Sequence, residues 1–170
     1  MSCSIKGVLH DEFVRTLICF RTLFHGFVFF GSCLRANSEL SRPTRPNSSD
    51  LKSTTPNQFL TRAHIQGLLQ HAYADKTGHN HFEVKIGPRP QDNIEVVYNQ
   101  SFGPLPTLAP GMTIEACGDY ITSDAPTAQY PASPDGAIIH WVHRSTGGHP
   151  GGYVVVNGVL CGQGSGNGGQ

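Results

Sequence analysis

Three histidines lie within ten residues of one another around the single tryptophan of the chain. They are His140, His143 and His149 beside Trp141, in AIIHWVHRSTGGHPGGYVVVNG, residues 137–158. Imidazole serves as a ligand for zinc or copper, as an acid or base near neutral pH, or as a packed ring bonded to backbone. The spacing His-x2-His-x5-His limits the first use. Side chains alternate faces along a strand, so His140 shares a face with Ile138 and Val142, and His143 shares one with Ile139 and Trp141. An odd separation divides His140 from His143 unless a bulge intervenes. His140 is therefore expected in the core. The feasible metal cluster is His143 with His149, joined by His79 from elsewhere in the fold, for Zn²⁺ or Cu²⁺.

Catalysis is the second use. No Ser or Cys stands in a nucleophile elbow, and no catalytic residue is assigned. Asp119 or Asp135 could orient a histidine or hold a metal-bound water, which would make a metal-assisted hydrolase. The third use is binding or packing. Trp141 beside Ile139 is a large apolar anchor with a polar N–H, and an exposed ring of this kind can stack a sugar or a base. The ligand-binding candidates are Trp141, His143, His149, His79 and Asn99. A binding or structural role is favoured over an enzyme, and no cofactor beyond Zn or Cu is indicated.

These residues must be positioned by strands. Short apolar runs recur between turn-forming segments: His64–Tyr73, Phe82–Ile86, Ile94–Tyr98, Met112–Tyr120, Ala137–His143, Tyr153–Val156 and Val159–Cys161. KTGHN, GPRPQDN, FGPLPTLAPG and SDAPTAQYPASPDG separate them. Asn157-Gly158 between apolar residues predicts a two-residue hairpin loop, because both positions need positive φ. In MTIEACGDY, Ile114, Ala116, Gly118 and Tyr120 should face inward, with Thr113, Glu115, Cys117 and Asp119 outward. Many short strands with little helix predict an all-β fold, a small OB-like barrel of about five to six strands with a C-terminal hairpin. The domain should span residues 63–162, with a Gly-rich disordered tail at 163–170.

Charge and composition divide the rest. Residues 63–170 carry four basic residues, Lys76, Lys85, Arg89 and Arg144, against eight acidic ones, a net −4. Proteins that track phosphates need a basic surface, so nucleic acid is not the expected partner. An unknown ligand or an envelope protein is. Residues 1–33 read as an export signal: Arg15 and Arg21, a short apolar run at Leu23–Phe30, then Gly31-Ser32-Cys33. The run is too short to span a bilayer, which takes about 20 apolar residues. Gly31-Ser32-Cys33 resembles the end of a bacterial lipobox, which makes Cys33 the expected lipidation site. Contact with the membrane would be by that anchor alone, in the periplasm or at the outer membrane. Residues 34–62, rich in Ser, Thr, Pro and Asn, read as a disordered tether. Cys3 and Cys19 would leave with the signal. The remaining pair, Cys117 and Cys161, is expected as a disulfide in an oxidising compartment, worth about 3–4 kcal/mol in the chain-entropy model.

The motifs resemble a bacterial domain-of-unknown-function family of small exported proteins noted for an HWTH motif. The likeness runs over about 80 residues, from Gly78 to Gly158. GHNHFEVKI supplies His79 before a strand opened by Phe82, and Tyr98-Asn99 stands where the family has His-Asn. LAPGMTIEACGDY ends in Gly118-Asp119-Tyr120, where the family has Gly-Glu-Tyr. GAIIHWVHRSTGGHPGGYVVVNG supplies Gly136, Ile139, His140, Trp141, His143, His149, Gly152 and Gly158. Val142 replaces the Thr of the motif, Tyr153 stands where the family tends to have Trp, and Arg144-Ser145 replaces a polar pair, often His-Asp. The resemblance implies a secreted OB-like barrel and no particular activity.

Overall fold

Alternation of apolar and polar residues dictates strands with one buried face, and a sheet of such strands hides that face by closing on itself. The computed structural model describes residues 48–165. In chain order these form α1 (Ser48–Thr54), β1 (Leu60–Ala72), β2 (His79–Lys85), β3 (Asn93–Asn99), β4 (Thr113–Thr122), β5 (Ala137–His140), β6 (Tyr153–Val156) and β7 (Val159–Cys161). A 3₁₀ turn at Gln100–Phe102 follows β3. None of the described helices is long and apolar enough to cross a membrane.

Closure comes from β1. Its second half pairs with β2, from Leu68↔Lys85 to Ala72↔Phe82. Its first half pairs with β4, from Leu60↔Ile121 to Leu68↔Thr113. The ring runs β1-β2-β3-β5-β4 and back to β1, with β3 and β5 parallel and the other neighbours antiparallel. This is an all-β, OB-like five-stranded barrel. Strands β6 and β7 extend the sheet from β4 as a C-terminal hairpin. Its turn is Asn157-Gly158, with φ of 47° and 82°, as the sequence predicts.

The inward residues fill the barrel. Phe82 and Val84 of β2, Ile94, Val96 and Tyr98 of β3, and Ile114, Ala116 and Tyr120 of β4 are buried together with Ile139, Val154 and Val156. Each fully buried large apolar side chain contributes roughly 1.5–3 kcal/mol. The Tyr98 hydroxyl satisfies itself by donating to the Gly103 carbonyl at 2.7 Å.

Three expectations change. First, the fold starts before residue 63. Leu51 of α1 and Phe59 pack on the core, and the Gln58 N–H donates to the Thr122 carbonyl at 2.7 Å. Lys52 Nζ donates to the carbonyls of Gln91 and Asn93 at 2.6 Å each and to that of Asp135 at 3.0 Å. A polar composition conceals so few anchors. Second, the C-terminal segment is held past residue 162. The Gly164 N–H donates to the Phe102 carbonyl at 3.0 Å, and Gln163 Nε2 to the Gly152 carbonyl at 3.2 Å. The export signal, Cys33, tether residues 34–47 and tail residues 166–170 lie outside the described residues.

Third, Cys117 and Cys161 do not pair; Cys161 is a free, buried thiol. Ala116, Val154 and Cys161 form one cross-strand row, so β6 lies between the two cysteines. Two strand spacings come to about 9–10 Å, beyond the roughly 7 Å limit for a disulfide. The side chains also face apart. Cys161 points into the core, while the Cys117 sulfur lies 3.6 Å from Arg62 Nη2 on the outer surface of β4.

Lys52 gives a test of the N-terminal boundary. Lys52→Met should lower stability by about 1–3 kcal/mol, because three carbonyls lose a donor. Urea denaturation at pH 7 measures it; an unchanged midpoint would return α1 to the tether.

Candidate functional site

The site is set by where β5 must stop. One edge of β4 is shared: Ile114 to Cys117 pair with β6, and Asp119 to Thr122 pair with β5. Gly118 stands between, and the chain leaving β5 crosses it. A Cβ at Gly118 would collide with the His140 carbonyl oxygen, and one at Gly152 would collide with the carbonyls of Trp141 and Cys117. Trp141 takes the turn in a left-handed conformation, φ 55°. This resets the alternation. Ile139 and Val142 both face the core, and His140 faces outward, half-buried. The expectation that His140 belongs to the core with Val142 therefore fails: the inward positions of β5 are Ala137 and Ile139, so alternation turns His140 outward, and the turn at Trp141 returns Val142 to the core.

His143 follows the turn and is only 2% exposed. Its ring stacks on Phe102 with centroids 3.6 Å apart. Its backbone is clamped by the Gly152 N–H donating to its carbonyl at 2.6 Å and by the Arg144 N–H donating to the Gly162 carbonyl at 2.7 Å. The next loop, from Ser145 to Gly151, folds back through Ser145 Oγ, which donates to the His149 carbonyl at 2.6 Å. His149 thereby stacks on Trp141 at 4.2 Å and meets His143 edge-on at 5.0 Å.

The rings continue across the barrel. Trp141 touches His140 at 4.6 Å, His140 lies 6.0 Å from His79, and His79 lies 6.5 Å from His81. On β2, residues 79, 81 and 83 share the outer face. Glu83 is paired directly with Glu95 of β3, and Glu95 stands level with Ile138 of β5. The outer surface of β2, β3 and β5 thus runs from carboxylates to imidazoles. Glu95 joins the two ends. It accepts from His81 Nδ1 at 2.6 Å and from Ser133 Oγ at 2.6 Å.

Most of these imidazoles are held in the same way. Nδ1 bonds a carbonyl oxygen in His79 (Thr77, 3.0 Å), His143 (Arg144, 2.8 Å) and His149 (Pro150, 2.8 Å), and a carboxylate in His81. A carbonyl oxygen only accepts, so in those three rings Nδ1 carries the hydrogen and Nε2 of the neutral ring is left as an acceptor. The Nε2 atoms of His143 and His149 are buried and have no hydrogen-bond partner. An unsatisfied buried polar atom costs about 1–3 kcal/mol, so the pair is a source of strain that a ligand would relieve.

The sequence candidates thus divide. Trp141, His143 and His149 come together. His79 reaches them only through His140, and among the described residues no three His, Cys, Asp or Glu side chains are arranged to hold a metal ion. The set His79, His143 and His149 is therefore not assembled, because His79 sits across the barrel surface on β2. Asn99 is spent as a cap; its Oδ1 accepts the Ser101 N–H at 2.9 Å. Asp119 is held by Arg62 at 2.8 Å opposite His140, and Asp135 lies at the acidic end, bonded by the Tyr73 hydroxyl at 3.1 Å. Phe102, His81 and Glu95 were missed. The alternation His79, His81, Glu83 in one strand could have revealed the face; the Phe102 stack could not have been read locally.

Comparison of the chain with family models and with curated proteins finds no match. The functional reading therefore rests on residues and geometry.

Burial, assisted by neighbouring His79 and His143, pulls His140 down from 6.5 to about 4. Burial also lowers His143. Burial and the nearby Glu83 push Asp135 up from 3.8 to about 6. As pH falls from 6.5 toward 4, the unfolded chain protonates His140 and the folded chain does not, so stability is lost. Asp135 acts oppositely: the folded carboxyl takes its proton near pH 6, before the unfolded one, so stability is gained from there down to about 4. Each effect is roughly 1–2 kcal/mol after solvent screening. Asp135→Asn, which keeps an acceptor for Tyr73, should therefore steepen the acid loss, and His140→Gln should flatten it. Urea midpoints at pH 7, 5.5 and 4 measure both. Parallel profiles in all three proteins would refute the opposition.

Proposed function

We propose that this protein is an exported, envelope-tethered binding module that takes a cationic ligand on the outer face of β2, β3 and β5. The observation that carries the reading is the make-up of that face. Glu83, Glu95 and Asp135 occupy one end, and five imidazoles in ring contact with one another or with Trp141 occupy the other. Neutral imidazoles offer lone pairs and carboxylates offer charge, and both suit a cation. Trp141 supports this reading over sugar or base stacking. It is already packed against His140, His143 and His149, so it stiffens the face instead of offering a bare ring. The net −4 of residues 63–170 favours cations over nucleic acid in the same way.

Location forms part of the proposal. The charged and apolar segment up to Cys33, and the resemblance to exported HWTH-motif proteins, support export with a lipid on Cys33 as the only membrane contact. Radiolabelled fatty acid should label the chain when expressed in a bacterial host, and Cys33→Ala should abolish the label. Persistent labelling would exclude Cys33 as the anchor.

Calorimetric titration of the purified protein with Cu²⁺, Zn²⁺ and spermidine, against Mg²⁺, tests the ligand class. At least one of the first three should bind at micromolar protein, and spermidine, a polyamine drawn to the carboxylates, should bind more weakly after the double change Glu83→Gln, Asp135→Asn. The absence of heat with all three would overturn the reading.

A further inference from the structure

We propose that His143 and His149 together bind one transition-metal dication through their Nε2 atoms, Cu²⁺ more tightly than Zn²⁺. This rests on the cation-binding reading and names the ion and its seat. Four observations converge on the pair. Both rings donate Nδ1–H to a backbone carbonyl, of Arg144 and of Pro150. Metal-binding histidines are oriented by this bond, which fixes the tautomer and leaves Nε2 to the metal. Both Nε2 atoms are shut away from solvent with no partner. The rings lie 5.0 Å apart, centroid to centroid, and two imidazoles bound at about 2.0–2.1 Å to one tetrahedral ion have centroids about 5 Å apart. His143, 2% exposed, holds that unpartnered Nε2 inside the protein.

The two ligands play different parts. His143 is rigid, stacked on Phe102 and clamped on both sides of its backbone. His149 rides on an exposed loop with Gly147 and Gly148 at positive φ, and it can adjust to the ion. No third protein ligand joins them among the described residues, so the remaining positions belong to solvent or to an incoming donor. A site of two neutral nitrogens gives no selectivity by charge or cage. The order of affinity then follows the intrinsic preference of nitrogen ligands, with Cu²⁺ above Zn²⁺. The other imidazoles of the face, His79, His81 and His140, are not part of the seat.

The test is calorimetric titration of the full chain with Cu²⁺ and with Zn²⁺, joined to the nitrogen hyperfine pattern of bound Cu²⁺ by electron paramagnetic resonance. One ion per chain and a two-nitrogen pattern are expected. His149→Ala removes a ring from Trp141 but leaves the barrel core intact, and His143→Phe keeps a ring against Phe102, so each should fold, as circular dichroism would verify. Each should weaken Cu²⁺ binding roughly tenfold or more and reduce the pattern to one nitrogen, while His81→Ala should leave both unchanged. Full-strength Cu²⁺ binding in either His149→Ala or His143→Phe would overturn this seat and leave the cation reading standing. If none of Cu²⁺, Zn²⁺ or spermidine produces heat with the unchanged protein, both fall.

Discussion

One close backbone crossing underlies the site. The chain leaving β5 passes over β4 at the position between its β5 and β6 ladders, and the contact is so tight that the carbonyl of His140 occupies the space a Cβ would need on Gly118. Gly152 meets the same segment from the other side. Trp141 must then turn in a left-handed conformation, which costs a non-glycine residue about 1–2 kcal/mol. The backbone bonds of His143 and Arg144 to Gly152 and Gly162 hold it there. The strain decides which rings meet. Alternation within β5 has already turned His140 outward toward His79; the turn returns Val142 to the core and delivers His143 to the Phe102 stack.

Electrostatics give that geometry its chemistry. Burial keeps His140 neutral at pH 7, with neighbouring His79 and His143 adding to it, and burial pulls His143 the same way. Neutral imidazoles next to one another do not repel, and each keeps a lone pair. At the opposite end Glu83 and Glu95 lie side by side across two strands, an arrangement that is unfavourable for like charges. Glu95 is relieved by His81 and Ser133, and Asp135 by taking up a proton more readily. A protein selected for stability alone would fill such a face with neutral or oppositely charged pairs. The unsatisfied nitrogens and crowded carboxylates are what support the proposed cationic ligand.

Local patterns were legible wherever one rule acted alone. The alternation in MTIEACGDY put Ile114, Ala116 and Tyr120 inside, and they are buried. Asn157-Gly158 was a hairpin because no other reading suited two positive φ angles. Legibility failed where several weak anchors acted together. Leu51, Lys52 and Phe59 order a segment whose composition is that of a linker, and their partners lie 39 to 83 residues away for Lys52 alone. The cysteines mislead for a related reason. Parity assigns Cys117 to the outer face, but nothing local shows that Cys161 points inward with a strand between them.

The sequence by itself determined the strands, the barrel class and the acidic character of the domain, because period-two alternation, turn chemistry and charge are properties of neighbouring residues. It also singled out Trp141, His143 and His149 as candidates. The tertiary structure alone decided how they meet. Strand parity divides His140 from His143 only while the strand is regular, and regularity ends at Trp141 because Gly118 and Gly152, 23 residues before and 11 after, leave no room for any other path. The extension of the ring face to His79 and His81 was likewise set by barrel closure, which brings β2 and β5 to the two flanks of β3.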